Sequence, residues 1–220
     1  MQINYLGHSS FRIKTKTATL VTDPYSPEVG FKMPKVTADI VTVSHQHFDH
    51  NYTEGVAPSQ EGGKPFLITG PGEYEIKEVS IHGVSLYHDN QKGEENGKTT
   101  AFVITAEEMV LCHLGDLGHT LTTRQQEIIG EIDVLFIPVG GGKSLDAGKA
   151  AEVVNQLEPK IVVPMHYKTP DHAPRFAKLA EVDAFLKEMG TAKKELDKLI
   201  LSKSELEEKE MEVVVLENKV

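Results

Sequence analysis

The sequence has 220 residues and is acidic, with 33 Asp and Glu against 23 Lys and Arg and a formal charge of −10. This balance lacks the basic footprint of a general nucleic-acid binder, so it argues against a nucleic-acid partner. No apolar run is long enough to span a membrane, and the first residues lack the pattern of a signal peptide. Cys112 is the single cysteine, cannot form an internal disulfide, and lies in an apolar run that predicts a buried, inert thiol. These features predict a cytoplasmic protein.

The first half of the chain has the pattern of short strands separated by turn residues. The predicted strands cover 2–6, 10–14, 19–22, 38–44, 65–69, 73–77, 79–81 and 84–87, and a hairpin follows at 100–105 and 109–112. The segment 91–98 is polar and contains glycine, which predicts a loop.

The second half alternates between helical and strand patterns. Helices are predicted at 123–130, at 147–157 with Asp146 as its cap, and at 174–189, and strands at 133–138, 160–164, 196–201 and 211–216. The acidic run 205–210 predicts a solvated turn. Many strands followed by alternating helices and strands imply an α/β fold of two sheets covered by outer helices. Because no linker-like segment interrupts the chain, we expect one domain over 1–220.

The segment from His45 to His50 reads His-Gln-His-Phe-Asp-His and directly follows an apolar strand. Imidazole and carboxylate groups are the ligands of zinc and related first-row metals. A simpler interpretation is a polar loop between a strand and a helix, with Asp49 as the helix cap. Four potential ligands within six residues favour the metal site.

Four further potential ligands lie at the ends of predicted strands. They are His88, His113, Asp116 and His166. Strand ends that gather at one edge of a sheet are where α/β proteins place their sites. We therefore expect these side chains to join the His45–His50 segment in one site.

The ordered combination of these segments resembles the metallo-β-lactamase superfamily. The matching segments are His45–His50, His113-Leu114-Gly115-Asp116, Pro164-Met165-His166-Tyr167, Gly7-His8-Ser9-Ser10-Phe11, Thr22-Asp23-Pro24 and Phe136-Ile137-Pro138-Val139-Gly140. The likeness is greatest to a small branch of uncharacterised metal-dependent hydrolases and ascorbate-phosphate-type lactonases. The individual tetrapeptides are weak, whereas their order from residue 5 to residue 167 is specific.

The resemblance implies a four-layer αββα sandwich, the metallo-β-lactamase fold, with two divalent metal ions. The first metal would bind His45, His47 and His88, the second would bind Asp49, His50 and His166, and Asp116 would bridge them. Asp49 and Asp116 would also serve as catalytic residues that hold the attacking hydroxide and pass protons.

The sequence leaves more than one role open for His113 and for His8. His88 is the preferred third ligand of the first metal, and His113 is the alternative, with orientation of a ligand as its other role. His8 is expected either to orient a ligand, to face the substrate, or to serve only in a turn. The isolated histidines His82, His119 and His172 show no ligand spacing, so we expect no role in the site for them.

Three other interpretations of the sequence fail on particular residues. The segment Gly140–Ser144 suggests a phosphate-binding loop, but Ile137 stands where that pattern needs its first glycine. A redox function is the second interpretation. Relatives with a di-iron redox site typically carry a glutamate at the position where this chain has His47. Ser9 and Ser10 have no recognisable triad partner, which argues against a serine hydrolase.

The resemblance therefore implies a hydrolase that uses a metal-bridged hydroxide on a small ester, lactone or phosphoester. Nitrogen-rich ligation favours zinc, with manganese or iron as alternatives. Two other functions stay open: a non-catalytic metal-binding scaffold or sensor of the same fold, and a phosphodiesterase or nuclease acting on nucleic acid. The complete ligand set argues against the first, and the acidic charge argues against the second. We expect a small-molecule substrate and no membrane partner, and the sequence leaves a homo-oligomer open.

Overall fold

The structure is a computed structural model that describes residues 1–60 and 63–218. The described strands are β1 (Gln2–Gly7), β2 (Ser10–Lys14), β3 (Thr19–Thr22), β4 (Val36–Ala38), β5 (Ile40–Thr42), β6 (Val56–Pro58), β7 (Phe66–Ile68), β8 (Gly72–Ile76), β9 (Val79–Tyr87), β10 (Lys98–Ala106), β11 (Met109–His113), β12 (Val134–Pro138), β13 (Ile161–Met165), β14 (Glu195–Leu196), β15 (Leu199–Ile200), β16 (Glu212–Val213) and β17 (Val215–Leu216). The helices are α1 (Thr123–Ile129), α2 (Ala147–Leu157), α3 (Val182–Glu188) and α4 (Lys203–Glu207), with 3₁₀ turns at Pro27–Val29, Thr53–Gly55 and Pro174–Phe176.

Two mixed sheets form the centre of the molecule. One has the strand order β15-β1-β2-β3-β5-β7, and the other has the order β16-β13-β12-β11-β10-β9-β8. Strands β3, β5 and β7 are parallel in the first sheet, as are β11, β12, β13 and β16 in the second. Parallel strands bring their carboxyl ends to one edge, and that edge is where the predicted ligands lie.

The core lies between the two sheets. One hydrophobic cluster of described residues draws buried side chains from both of them. Phe11 of β2 and Phe136 of β12 are fully buried, and their ring centroids are 4.4 Å apart. Because large aromatic side chains contribute much of the hydrophobic stabilisation, this contact helps to hold one sheet against the other. The buried, reduced Cys112 lies in the same cluster, as predicted, and burial raises the pKa of its thiol to about 12.

Two predicted helices are confirmed within one residue of their expected bounds. The side chain of Asp146 accepts a hydrogen bond from the backbone N–H of Lys149 at the start of α2, as expected. The buried residues of α2, at positions 150, 153, 154 and 157, recur at helical spacing and form its inner face. That helix packs against β12 and α3. None of the described helices has the length and apolarity that crossing a membrane requires.

The prediction of one continuous helix over 174–189 is wrong. The chain forms a 3₁₀ turn at Pro174–Phe176 and resumes a helix only at α3. Between them, the backbone N–H of Ala180 donates to the carbonyl of Gly140, and its carbonyl accepts from the N–H of Lys168. These distant partners replace the intrahelical hydrogen bonds that the apolar spacing predicted.

The carboxyl-terminal region also differs from expectation. The acidic run predicted as a turn is partly helical, because Ser202 and Glu205 form a capping box and Leu206 is buried. Each of the two predicted closing strands is replaced by two strands of two residues. These are β14 and β15 in the first case, and β16 and β17 in the second. Elsewhere, the predicted strands 79–81 and 84–87 form one strand, β9, and the strand predicted over 38–44 is interrupted at residue 39.

Candidate metal centre

The predicted site residues follow strands, and those strands that belong to the seven-stranded sheet run in the same direction. The segment 45–50 comes after β5, His88 comes after β9, His113 ends β11, and His166 comes after β13. Strand β9 is antiparallel to β10, which is antiparallel to β11, so β9 and β11 share a direction. Their carboxyl ends therefore reach one edge, where loops from both sheets meet.

Three histidines form the first group of this centre. Ligand atoms of His45, His47 and His88 lie within 4.8 Å of one another, and Nε2 of His45 is 2.9 Å from Nδ1 of His47. Burial, reinforced by the neighbouring His50, lowers the pKa of His45 to about 3, and burial likewise lowers the pKa of His47. Both rings are therefore neutral at pH 7, which is the state that binds a metal ion.

A second group combines Asp49, His50 and His166 with His8, again with ligand atoms within 4.8 Å. Burial opposes ionisation of Asp49, but His50 and His8 beside it hold the pKa of this carboxyl well below its usual range. Burial disfavours a charged His50, yet the carboxylates of Asp116 and Asp49 raise its pKa well above the ordinary value. The same carboxylates would favour a metal cation at this place.

Asp116 lies between the two groups. Its Oδ2 is 3.3 Å from Nε2 of His50, of His88 and of His166, and 3.9 Å from Nε2 of His45. Burial would raise the pKa of this carboxyl, but His166 and His50 lower it well below its usual range. A carboxylate with two oxygens, placed between two sets of ring nitrogens, suits a bridge between two cations.

Several buried polar atoms of the centre have no hydrogen-bond partner among the described residues. They are Nε2 of His50, Nδ1 of His88, Oδ1 of Asp116 and both ring nitrogens of His166. Each such atom costs roughly 1–3 kcal/mol when left unpaired, so the cluster calls for another partner. Neutral imidazole nitrogens and carboxylate oxygens are the donor set of zinc and its first-row relatives. The residues therefore fit divalent cations on chemical grounds.

His88 and His113, the two candidates for the third ligand of the first metal, differ in the atoms that their ring nitrogens contact. The backbone N–H of Gly115 donates to Nδ1 of His113 over 3.2 Å, so the proton of this ring is on Nε2, which lies 2.8 Å from the carbonyl oxygen of Ser9. His113 thus uses both nitrogens on the backbone and links the two sheets. His88 directs Nε2 at Asp116 and belongs to the three-histidine group, which favours His88 as the ligand.

Asp23 is a residue of the centre to which the sequence assigned no role. Its Oδ2 is 2.8 Å from Nδ1 of His50 and also accepts from the hydroxyl of Ser44, whose backbone N–H donates to Oδ1 over 2.7 Å. The carboxylate therefore fixes the ring of His50 with Nε2 turned towards Asp116. The sequence signal was its place after a strand, in the segment Thr22-Asp23-Pro24.

The interpretation of His172 as a residue without a role in the site needs correction. Its Nε2 lies 3.1 Å from Nδ1 of the fully buried His8, whose Nε2 is 3.2 Å from Oδ2 of Asp49. His8 therefore contacts a candidate ligand and does more than occupy a turn. His119 bonds to the backbone of Tyr87 and Thr120 and is in none of the candidate metal groups, and His82 is not in them either.

Three residues of this centre have a strained backbone. His8, Asp23 and His166 have φ of 55°, 37° and 52°, in the left-handed region that residues other than glycine rarely adopt. Each such residue costs of the order of 1–3 kcal/mol and persists only where its surroundings hold it. Here the carbonyl of His8 accepts hydrogen bonds from the backbone N–H of His166 and from the hydroxyl of Tyr5.

A cleft of about 650 Å³ opens over the two groups. Its floor is formed by His47, Asp49, His88, Asp116 and His166. Its rim includes Phe48, Lys143, Arg175, Phe176 and Lys178. The volume lies in the range of sites that bind small molecules.

Comparisons with known proteins agree with this architecture. Residues 2–166 match the family model of the β-lactamase superfamily domain. A metal-dependent hydrolase of Bacillus cereus is 31% identical over 199 residues, covering 77% of this chain and 86% of that protein. One of Nanoarchaeum equitans is 32% identical over 195 residues, covering 77% and 85%.

A solved structure from Thermotoga maritima, described as a candidate Zn-dependent hydrolase of the metallo-β-lactamase superfamily, has a TM-score of 0.77 and 38% identity. The match covers 98% of this chain and 97% of that one. The predicted sandwich fold and the resemblance seen in the motifs are thereby confirmed. The chain belongs to the metal-dependent hydrolases of the β-lactamase superfamily.

Proposed function

We propose that this protein hydrolyses a small ester, lactone or phosphoester with two divalent metal ions, zinc being the preferred metal. The observation that carries the proposal is the position of Asp116, whose Oδ2 lies within 3.9 Å of ring nitrogens from both groups. A carboxylate that lies between two groups of ligands can bind two cations at once. A site for a single ion would not need a carboxylate between two separate groups of ligands.

Each residue of the centre then has a distinct task. His45, His47 and His88 hold one ion, Asp49, His50 and His166 hold the other, and Asp116 binds both. When bound, the ions would lower the pKa of a water molecule towards neutrality and polarise the bond that is cut. Oδ1 of Asp116, which is buried and has no partner among the described residues, can accept a hydrogen bond from the attacking water.

The cleft and the composition support a small substrate. A volume of about 650 Å³ accommodates a metabolite-sized molecule. The formal charge of −10 gives no general attraction for a nucleic acid, which disfavours the nuclease alternative. The complete ligand set disfavours a non-catalytic sensor. A cytoplasmic location stays a prediction from the sequence.

The test combines metal analysis with turnover. Purified protein should contain about two divalent ions per chain by elemental mass spectrometry. It should also hydrolyse at least one member of a panel of lactones, phosphodiesters and thioesters after loading with Zn²⁺, Mn²⁺ or Fe²⁺. The variant Asp116→Ala should lose metal and should lose more than roughly 100-fold in kcat/KM, the upper end of what residues outside the ligand set cost.

The matched control is Asp183→Ala, because Asp183 is an exposed carboxylate on α3, away from the cleft. It should retain both the metal and the activity. Undiminished turnover by metal-free protein would refute the proposed function.

A further inference from the structure

The rim of the cleft carries three cationic side chains, those of Lys143, Arg175 and Lys178. Among the described residues, the acidic side chains that line the cleft are Asp49 and Asp116, both in the candidate metal centre. The chain as a whole has more acidic than basic residues, so its composition does not lead one to expect a rim of one sign.

The charges of this rim are largely uncompensated. Lys143 and Lys178 are exposed and form no ion pair within the described part of the chain. Arg175 has one partner, Glu28, at 3.3 Å, but both side chains are more than half exposed. An exposed pair contributes about 0–1 kcal/mol, so a bound anion can take the place of Glu28.

An apolar surface lies next to these cations. The rings of Phe48 and Phe176 have centroids 6.3 Å apart, and the guanidinium of Arg175 lies 5.0 Å from the centroid of Phe48. Phe48 is 36% exposed, although large apolar side chains are usually buried. Leu179 completes this surface, which suits the carbon skeleton of a substrate.

We propose that the substrate carries a negatively charged group, a carboxylate or a phosphate, remote from the bond that is cut. The rim formed by Lys143, Arg175 and Lys178 binds that group, while the skeleton lies against Phe48 and Phe176. This inference rests on the proposed function, since it names the substrate class of the same centre. The proposal follows from the three cationic side chains of the rim. They form a second set of positive charges, separate from the two metal ions, and hydrolysis by the ions alone would not require them.

The experiment uses two esters with the same leaving group, the neutral 4-nitrophenyl acetate and the anionic 4-nitrophenyl hydrogen succinate. The metal-loaded protein should favour the anionic ester in kcat/KM, and added salt should reduce this preference because it screens exposed charges. The double variant Lys143→Met, Lys178→Met should lower the preference at least tenfold, through a loss of kcat/KM on the anionic ester. Lys187→Met, exposed on α3 and outside the cleft, is the control.

The outcomes separate this inference from the proposed function. Hydrolysis of both esters without a charge preference, or a preference that the double variant retains, would overturn the rim and leave the hydrolase in place. Absence of hydrolysis of either ester and of the whole panel would count against the proposed function. The rim is then tested by calorimetric titration with phenylphosphonate, whose affinity should fall about tenfold in the double variant, and an unchanged affinity would overturn it.

A second, independent observation concerns a chain of hydrogen bonds that ends at Asp49. The backbone N–H of Thr169 is 3.0 Å from Nδ1 of His172, and Nε2 of His172 is 3.1 Å from Nδ1 of His8. Nε2 of His8 is 3.2 Å from Oδ2 of Asp49. The chain thus runs from a loop near the cleft rim to a candidate metal ligand.

The direction of every bond in this chain follows from its first member. A backbone N–H can only donate, so Nδ1 of His172 accepts and its ring proton is on Nε2. That proton is donated to Nδ1 of His8, so the proton of His8 is on Nε2 and is donated to the carboxylate of Asp49. The backbone of Thr169 therefore determines which nitrogen of each ring is protonated.

The loop that carries His172 is held against the 3₁₀ turn Pro27–Val29. The backbone N–H of Ala173 donates to the carbonyl of Val29 over 2.8 Å. Gly30 has φ of 126°, and a Cβ at this position would lie 2.3 Å from the backbone nitrogen of Ala173. Only glycine permits this approach, and the approach fixes the place of His172.

We infer that His172 is a positioning residue that sets the tautomer of His8 and thereby orients Asp49 towards the second metal ion. It touches none of the seven residues proposed to hold the two ions, so its effect passes through His8. Residues that orient metal ligands typically contribute 10–100-fold to metal affinity.

Cobalt titration followed by visible absorbance tests this role without requiring turnover. His172→Leu, which removes the donor, should weaken the second Co²⁺ by 10–100-fold and leave the first unchanged. His172→Gln, which keeps an N–H near the position of Nε2, should restore binding to within about threefold. His119→Leu removes a half-buried histidine that lies outside the candidate metal groups and is the matched control.

Two results would contradict the inference: binding of both cobalt ions by His172→Leu as in the unchanged protein, or equal weakening by the Leu and Gln variants. The melting temperature of the metal-free variants shows whether the fold is retained. If His172→Leu fails to fold, His172→Asn, too short to place a donor near Nε2, takes its place in the titration.

Discussion

The histidines of this chain differ in what their ring nitrogens contact, and that difference decides their chemistry. Both ring nitrogens of His113 form hydrogen bonds with backbone groups. In His50, Nδ1 contacts Asp23 and Nε2 faces the candidate metal centre. A metal-binding histidine normally has such an orienting partner on its other nitrogen. Spacing alone could not distinguish these cases, because the partner of a ring is set by the folded chain.

The sequence was informative wherever the site residues are close together along the chain. The segment from His45 to His50 needed only its spacing to predict a metal site, and its members do lie within the candidate groups. Asp23 and His172 were missed because their partners are 27 and 164 residues away, at His50 and His8. No local pattern reports contacts over such separations.

The first prediction concerns the orientation of His50 by Asp23. In Asp23→Asn the side chain loses its charge and one acceptor, so the hydrogen bond to Nδ1 of His50 weakens and the ring is held less firmly. We expect metal affinity to fall about 10–100-fold with little change in secondary structure. Competition with a chromophoric chelator measures the affinity.

The matched control for this prediction is Asp39→Asn. Asp39 accepts hydrogen bonds from Thr19, Ser59 and Lys77, but it lies outside the candidate metal groups. Its substitution should leave metal affinity unchanged. If Asp23→Asn binds metal as tightly as Asp39→Asn does, the orienting role of Asp23 is wrong.

At the scale of elements, the predictions succeeded where local pattern and tertiary contacts agree. Helix α2 has a cap, an apolar face and a partner surface, and its predicted bounds were correct. The region 174–189 has the same apolar spacing, yet Ala180 bonds to Gly140 and Lys168 and breaks the helix. The hydrogen bond of Ala180 to Gly140 joins segments about 40 residues apart, and the one from Lys168 comes from another loop. The spacing of apolar residues carries no information about such contacts.

The turn after β11 gives the second prediction, because it places Asp116. Gly115 has φ of 54°, and a Cβ there would lie 2.5 Å from Oγ1 of Thr99 and 2.6 Å from Cβ of Ser44. We expect Gly115→Ala to lower the free energy of unfolding by about 1–2 kcal/mol for the left-handed conformation and by about 1–3 kcal/mol more for the overlap. Urea denaturation of the metal-free protein measures this loss.

Gly97→Ala separates the two contributions. Gly97 has φ of 80°, but nothing lies within 4 Å of the position of its Cβ. This variant should show only the conformational cost of about 1–2 kcal/mol. Equal losses in the two variants would mean that the turn moves freely and that Gly115 does not determine the position of Asp116.

At the scale of the whole molecule, the candidate metal centre joins the two sheets. His8, Asp23 and the segment 45–50 follow strands of the six-stranded sheet, whereas His88, Asp116 and His166 follow strands of the seven-stranded sheet. The two-sheet arrangement could be predicted from the order of strands and helices. The way in which the sheets face each other could not, because contacts such as that of Phe11 with Phe136 leave no periodic signal. The single domain over 1–220 stays a prediction.

Because ligands come from both sheets, metal binding should stabilise the entire fold against unfolding, which is the third prediction. A ligand that binds only the folded state at 100 times its dissociation constant adds about 2.7 kcal/mol to the free energy of unfolding. For a chain of this size each kcal/mol raises Tm by roughly 2–4 °C. Removing metal with a chelator should therefore lower Tm by roughly 5–10 °C, and stoichiometric Zn²⁺ should restore it. Calorimetry should give a much smaller rise for Asp116→Ala, since that variant lacks the carboxylate that connects ligands of the two sheets. An equal rise in that variant would place the stabilising ion elsewhere in the molecule.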